Sequence, residues 1–585
     1  VAIDLTDATG FTDEHGIETR TAIDVVLLTT SEGVLHAFEG GTDTAETAVG
    51  DGGSELWSFM PREFLDKINR LRENSDAGVP DYGLDGPMTI YESGGKKYVV
   101  MTMRRGGRNI YALDITDMNK PKMAWEIIGG STTGYERLGQ TWSKVNFLTM
   151  ELNGAPARNV VVFGGGYDNT TQDPDSEGVI PATRVDDTMG NAIYVADAAT
   201  GARLAYFTAD TTTNTDSAVN SLQVTGMENG IIGILPVDIN NNGITDRLYA
   251  SGVGGRIFRI DIPDNGFTST TIQGFALADV NYNPGNEGFQ RFFNAPEVAY
   301  YSRGGVTFLG ILIGSGYRPS PLNNTVTDRF YMIKDFDAFN VPSVPESYSP
   351  ITEGGLYDAT ENLVQDPLAE IAAANAEYDE CVAEATNQAE INQCQSILPD
   401  EDDIALAQET VAQAESDLAS KSGWFIDLLD GDIKQKVFSD ARIFDSVILF
   451  STYQGERSNT ADVCLATTTS GLSNVYAMNL LDGSAVLDLS NAITSGGTGG
   501  GDGDGGGDGG ETGIINSADR SIGLNIPGLP PTPVIVFPEP GTGEVSLSGR
   551  EAIAIVGLEA VFRFPDRFFP VNWEEVIDTT PLQTQ

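Results

Sequence analysis

The sequence predicts an all-β fold, a β-propeller with an α-helical hairpin inserted between two of its blades. Glycine makes up 67 of 585 residues, above its usual share of about 7%, and it falls as turns between apolar runs. One unit recurs: a β-branched strand, a Gly turn, a second strand ending in Asp, a Thr-Gly-like turn and a short third strand. A supersecondary unit repeated every 40 to 50 residues or more, roughly, is the sequence signature of a propeller. The exception is 366–420, rich in Ala, Glu and Gln with no Gly until Gly423.

In chain order, the first unit is 25–30, a turn at Glu32-Gly33, 34–38 and 55–59. The second is 98–103, a turn at Gly106-Gly107, 109–114 and 124–127. The third has 160–163, 192–197, Thr200-Gly201 and 204–207, and the fourth 247–251, Gly254-Gly255 and 256–261. Two more lie at 306–313 with 329–333, and at 447–452 with 474–478. A seventh blade is expected from the chain ends, with 551–556 and 560–564 as its strands and the strand at Val25 meeting that at Val561 to close the ring, because a propeller hides its edges only by closure. The helical periodicity of 366–420 turns near Pro399-Asp400-Glu401-Asp402, and the Gly/Asp-rich run within 496–513 reads as a flexible loop. The remainder, 1–585, is read as one propeller domain.

Composition narrows the function. With 34 Lys plus Arg against 84 Asp plus Glu, the formal net charge is -50, which excludes a binder of nucleic-acid backbone because that affinity rests on clustered cations. At 40% hydrophobic the chain has ample material for a core. Two His and three Cys leave little for a zinc site or a His-based triad, so the reading is non-enzymatic. High acidity suits a saline or extracellular setting, where salt screens self-repulsion. No apolar run reaches the 18 residues or so that a membrane helix needs. A start at Val1, with no Met or leader, is expected for an excised segment of a longer mature protein.

The sharpest local signal is Asp238-Ile-Asn240-Asn-Asn242-Gly243-Ile244-Thr-Asp246. Side-chain oxygens at positions 1, 3, 5 and 9, Gly at 6 and a carbonyl from position 7 are what a hard cation such as Ca2+ requires. Tyr249 stands where an EF-hand has Glu, so this is a nine-residue loop of another kind. An Asn-Gly turn alone needs only Asn242 and Gly243 and leaves Asp238, Asn240 and Asp246 unexplained. Two carboxylates predict weak binding, on the order of 10⁻⁴ to 10⁻³ M as in extracellular modules. Gly164-Gly165-Gly166 and Gly314-Ser315-Gly316 read as strand-end turns, since neither has the Lys of a phosphate loop. His36 reads as a strand residue, and Trp57, Trp125, Trp142 and Trp424 as inter-blade packing. Asp4, Asp7, Asp81 and Asp85 read as solvated turn residues. Cys381 and Cys394 lie 13 residues apart in the helical segment, where an unbroken helix would hold them about 20 Å from each other. A bridge requires a break, for which Thr386-Asn387 is the place; without one both stay thiols. Cys464 is left over either way.

Five segments, Gly33-Val-Leu-His-Ala-Phe38, Tyr111-Ala-Leu-Asp-Ile-Thr116, Leu138-Gly-Gln-Thr-Trp-Ser143, Phe163-Gly-Gly-Gly-Tyr167 and Asp246-Arg-Leu-Tyr-Ala-Ser-Gly252, resemble, in this order, the C-terminal propeller of the PilY-type type IV pilus tip adhesins. The resemblance covers about 24–487. It implies a modified seven-bladed β-propeller, secreted to the pilus tip or outer cell surface and working in pilus biogenesis, attachment to host or abiotic surfaces and twitching motility. It implies contact with minor pilins, and calcium that opposes pilus retraction, held by Asp238, Asn240, Asn242, the Ile244 carbonyl and Asp246. The sequence departs from the family at Asn242, where Asp is usual, and contains no Arg-Gly-Asp triplet. Two other readings are a quinoprotein dehydrogenase, whose blades share the Gly-turn and Trp repeats but whose pocket carries adjacent cysteines, and a scaffold propeller with no adhesive role.

Overall fold

The computed structural model describes residues 24–41, 53–73, 82–152, 154–173, 181, 183–209, 220–263, 272–281, 289–339, 348–430, 433–455, 471–486, 514–524, 529–536, 552–557 and 559–564, with short strands at 2–3, 11–12 and 18–20. The Gly/Asp-rich run 496–513 and Cys464 lie outside the described residues, as do Asp4, Asp7 and Asp81.

Seven sheets of three to five strands follow one another along the chain, the modified seven-bladed propeller expected. Blade 1 consists of Ala2–Ile3, Asp24–Thr29, Leu35–Gly41 and Glu55–Phe59; blade 2 of Met88–Ser93, Lys96–Met101, Ile110–Asp114 and Lys122–Ile127. Blade 3 starts at Asn146–Met150 and blade 4 at Ile231–Val237, each with a fifth, parallel outer strand. Blade 5 runs from Glu297–Arg303 and takes Gly423–Asp427 as its fourth strand; blade 6 centres on Val447–Gln454 and Leu472–Asn479. Blade 7 consists of Val534–Val536, Ala552–Val556 and Glu559–Phe564.

Six apolar clusters fill the six successive interfaces between these blades. Val25 and Leu35 of blade 1 meet Val99 and Met101 of blade 2, and the series ends with Leu449 and Val475 of blade 6 against Ala554 and Val556 of blade 7. The alternating pattern explains this: in a sandwiched sheet both faces are covered, so central strands such as Val447–Gln454 are buried along their whole length. The expected pairing of the strands at Val25 and Val561 does not form. Val25 lies opposite Ile3 and Glu39, and Glu559–Phe564 lies on Ala552–Val556. The N-terminal strand already occupies the free edge beside Val25, and Val534–Val536 supplies the third strand of blade 7.

The recurring Asp at strand ends is a turn device. Asp197 Oδ1 accepts from Ala199 N, Thr200 N and Thr200 Oγ1, and Asp114, Asp358 and Asp482 do the same with a Thr or Ser two residues on. The Gly that follows lets the turn lie flat on the preceding blade. A Cβ on Gly201, at φ +70°, would stand 2.9 Å from the Trp125 ring, and Gly483 faces Trp424 likewise. Each indole then donates into the turn, Trp125 Nε1 to Ala198 O at 3.1 Å and Trp424 Nε1 to Leu480 O at 3.0 Å. Those two Trp are inter-blade residues, as is Trp57, packed between blades 1 and 2. Trp142 sits nearer the axis, clustered with Tyr167, Ile232, Val253, Phe293 and Tyr317 from the inner ends of blades 3 to 5.

The insertion is helical: Asp366–Glu384, Gln388–Cys394 and Glu401–Ser420. The first helix stops at Ala385 and Asn387 caps the next, its Oδ1 accepting from Ala389 N and Glu390 N. That break lets the chain fold back, and Cys381 and Cys394 are bridged with Cα atoms 5.8 Å apart. The turn at 399–402 carries a capping box between Asp400 and Asp403.

Candidate metal centre

The strands Ile231–Val237 and Arg247–Gly252 pair with Val237 opposite Arg247, so 238–246 is the hairpin connection of blade 4. It is pinned outside itself at its C-terminal end. Thr245 N donates to Thr149 O of blade 3, Asp246 N to Val237 O, and Ile262 N to Asp246 O at 2.7 Å. Two left-handed residues set its path, Asn241 at φ +58° and Gly243 at φ +83°. Nothing lies within 4 Å of a Cβ built on Gly243, so glycine is needed there for conformation and not for space.

All five residues singled out from the sequence meet in this loop. Asp246 is fully buried; its Oδ2 accepts from Ile239 N at 2.7 Å and Asn240 N at 3.3 Å, and its Oδ1 from Asn240 Nδ2 at 3.3 Å. Asp238, at the mouth, accepts from Asn242 N at 3.2 Å and Gly243 N at 2.7 Å. Asn240 Oδ1 accepts from Asn242 N, and Asn242 Oδ1 from Ile244 N. The backbone amides therefore wrap around four side-chain oxygen groups and fix their positions. A carboxylate has about four lone-pair sites, so Asp238, which accepts two bonds, keeps acceptor capacity. The donor set is oxygen only, which fits a hard cation and no thiophilic one. Among the described residues no three His, Cys, Asp or Glu side chains gather as a metal-ligating group; a cation here would depend on amide and carbonyl oxygens beside two carboxylates.

Directly behind the loop lies an ion network that sequence reasoning missed. Arg247, Arg259 and Asp261 are fully buried, and Asp335 nearly so. Asp261 Oδ1 accepts from Arg247 Nε at 2.5 Å and Arg259 Nε at 3.0 Å; Asp335 accepts from Arg259 Nη1 and from Tyr249 Oη at 2.6 Å. It ties blade 4 to blade 5. The trace in the sequence was Arg at two strand positions where neighbours are apolar, Arg247 and Arg259, with Asp closing the strand. The triple-Gly turn, by contrast, is as expected: Gly164 ends a strand, and a Cβ on Gly166 would fall 2.0 Å from Gln140 O. His36 is a strand residue, its Nδ1 2.9 Å from Glu55 Oε1 across the pair.

No family model matches the chain. In sequence it is 26% identical over 248 residues to a type IV pilus biogenesis factor PilY1 homolog of Xylella fastidiosa, covering 42% of this chain and 16% of that protein. It is 25% identical over 245 residues to type IV pilus biogenesis factor PilY1 of Pseudomonas aeruginosa, covering 40% of this chain and 17% of that one. The matched stretch thus spans about a sixth of each relative's length. In fold it is similar to the crystal structure of the Pseudomonas aeruginosa PilY1 C-terminal domain, with a TM-score of 0.54 at 15% identity over 93% of this chain and 92% of the other.

Proposed function

We propose, from the premise that this chain is related in sequence and in fold to the PilY1 C-terminal domain, that it is a non-enzymatic, calcium-binding factor of type IV pilus biogenesis. It works at the pilus tip or outer cell surface, contacts minor pilins, attaches to host or abiotic surfaces, and biases pili toward extension over retraction. The observation that carries this reading is the kinship: the relatives in which 40 to 42% of the chain finds its match are type IV pilus biogenesis factors.

The loop of blade 4 supports the calcium part. Asp238, Asn240, Asn242, the Ile244 carbonyl and Asp246 would hold the ion, which would supply positive charge to the two carboxylates of one hairpin loop. To present oxygen, Asn240 must turn its Nδ2 away from Asp246 Oδ1. The loop's C-terminal end continues into Arg247 and so into the buried network, which gives the site a rigid base against blade 5. The test is calorimetry of calcium with wild type and with Asp246→Ala, followed by counting surface pili in a strain carrying the variant. Calcium uptake by wild type alone, with adhesin retained and fewer pili in the variant strain, is expected. Equal uptake by both proteins removes the site, and normal piliation with a non-binding variant removes the regulatory role.

A further inference from the structure

On the propeller axis lies a cavity of about 410 Å³ lined by residues of blades 2 to 6 and by Pro530 and Pro531 on the approach to blade 7. Its charge runs against that of the molecule. In a chain of net charge -50, the lining carries four cations, Arg104, Lys144, Arg318 and Arg442, against two carboxylates, Asp440 and Glu297. Arg442 and Glu297 neutralise each other at 3.2 Å. Asp440 spends one oxygen on Ala295 N, and among the described residues neither Arg104 nor Arg318 forms an ion pair within 4 Å, although Asp440 and Asp85 lie near enough to favour the charge of both.

The fold uses few of the two guanidiniums' donors. Arg318 donates one hydrogen bond, from Nη1 to Phe438 O at 3.1 Å, and lies over the Phe438 ring; most of its five donors are unspent. Burial first, and then Arg104 nearby, push its pKa down to about 10. Burial likewise lowers that of Arg104, whose side chain donates to no described group. The backbone of Arg104 is in the left-handed region at φ +46°, a conformation strained for a non-glycine residue. It is pinned there from both sides, with Met103 N on Thr141 Oγ1, Arg104 N on Thr141 O and Gly106 N on Met103 O. A position that would suit glycine instead lines a shared cavity with a cation whose donors no described group accepts, with Asp85 and Asp440 the carboxylates that act on it. Beside these cations Trp142, Phe293, Phe438 and several prolines form apolar patches in a lining that is otherwise polar.

We propose that the axial cavity is a binding site for a carboxylate carried on an apolar body, with Arg104 and Arg318 as its anion-recognising pair. Planar guanidiniums match a carboxylate's two oxygens, the burial of both strengthens that pairing, and the aromatic and proline patches cover the apolar remainder. The cavity is of the size that small-ligand sites occupy. Two sources offer this chemistry, a free organic acid and the C-terminal carboxylate of a peptide ending in an apolar residue. The cavity uses none of the residues 238–246 and does not depend on the pilus reading.

The experiment is titration calorimetry of the whole chain with 3-phenylpropionate, its amide and acetate, and with a pentapeptide ending in Phe as free acid and as amide. Binding of the phenylpropionate or of the free-acid peptide, each at least about tenfold tighter than its amide, is expected, because a neutral amide loses the charge-assisted bonds; acetate should bind more weakly than either. Tighter binding of phenylpropionate marks a free acid as the source, and tighter binding of the peptide marks a chain terminus. Arg104→Gln should weaken the acid by about tenfold while the β spectrum is kept, since the side chain supports nothing else. Equal affinity for acid and amide, no binding of either acid, or an unchanged affinity in a folded Arg104→Gln protein overturns the proposal. If that variant does not fold, the acid-to-amide ratio of wild type decides alone.

Discussion

At the scale of single residues, two carboxylates show how differently one sheet region can set an acid. Asp168 is buried, which pulls its pKa up, but Thr170, Thr188 and Thr171 donate to it and the balance lies below the usual carboxylate value. Asp187, also buried, accepts from Gln172 Nε2 and Gly230 N at 2.7 Å each, yet desolvation wins and raises it from 3.8 to about 7. Between those two pH values the folded chain binds a proton at Asp187 that the unfolded chain has released. Stability from this group is therefore greatest at low pH and falls as pH rises through that window. Asp187→Asn, which cannot ionise, should gain on wild type in melting temperature from pH 4 to pH 8, roughly, and level off above; a difference independent of pH would refute the assignment. In the 238–246 loop, if it holds calcium as proposed, Asp238→Ala should abolish calcium binding and leave the fold intact. With a Kd of about 1 mM, 10 mM calcium adds only about 1.4 kcal/mol by linkage, so the melting temperature of wild type should rise by a few degrees with calcium and that of the variant should not. That 238–246 connects two strands was legible from its Asn-Gly turn, because turn chemistry is local. Asp187, Arg104 and Arg318 were not, because each owes its character to burial among segments distant in sequence, which no local pattern displays.

At the scale of elements, the strand-Gly-strand-Asp unit could be read directly, since turn chemistry is local. The Trp-to-turn contacts could be read only as generic packing, because the acceptor of Trp125 lies in the next blade. The helical insertion was legible from its composition, and its break at Ala385 to Asn387 from the demand of a bridge, while its mooring was not. Gln365 Nε2 donates to Ala485 O, Asp366 Oδ1 accepts from Ser517 N, and Arg520 donates to Ala359 O and Thr360 O. The base of the hairpin is thus part of the blade 5 to blade 6 seam, whereas its tip packs on itself through Ala407, Val411 and Ala414. Deleting 369–417 behind a short linker should leave the cooperative melt of the β core in place, and Asp366→Ala should cost about 1 to 2 kcal/mol by orphaning Ser517 N. Loss of cooperativity in the deletion would show that the helices hold the ring together. Replacing Cys381 and Cys394 by Ser should lower hairpin stability by about 3 kcal/mol, the worth of a closed loop of this length, read as lost amide protection in the helices with blade strands unchanged.

At the scale of the whole molecule, the repeated core is the reason blade number was readable and closure was not. Each interface needs two apolar faces, which a period-2 pattern displays, but which strand meets which across the ring depends on edges that no pattern marks. Truncation after Leu524 removes Ala554 and Val556 from the seam with blade 6 and exposes the apolar face of Leu449 and Val475. It should lower the unfolding free energy by several kcal/mol, at about 1.5 to 3 kcal/mol for each large side chain uncovered; unchanged denaturant stability would show blade 7 to be an appendage. The crossing of the chain between blades 4 and 5 has a consequence in time. The outer strand of blade 4, Ile351–Thr352, pairs in parallel with Gln273–Asp279 and arrives only after the first three strands of blade 5 have been laid down; Tyr357–Asp358 then waits for Gly423–Asp427, on the far side of the hairpin. A chain emerging from its N-terminus can complete blades 2 and 3 as it appears, each from its own contiguous stretch. Blades 4 and 5 cannot finish separately. They lock as one late unit once residue 427 has emerged, and until then the outer edge of blade 4 stands open to any other strand that reaches it.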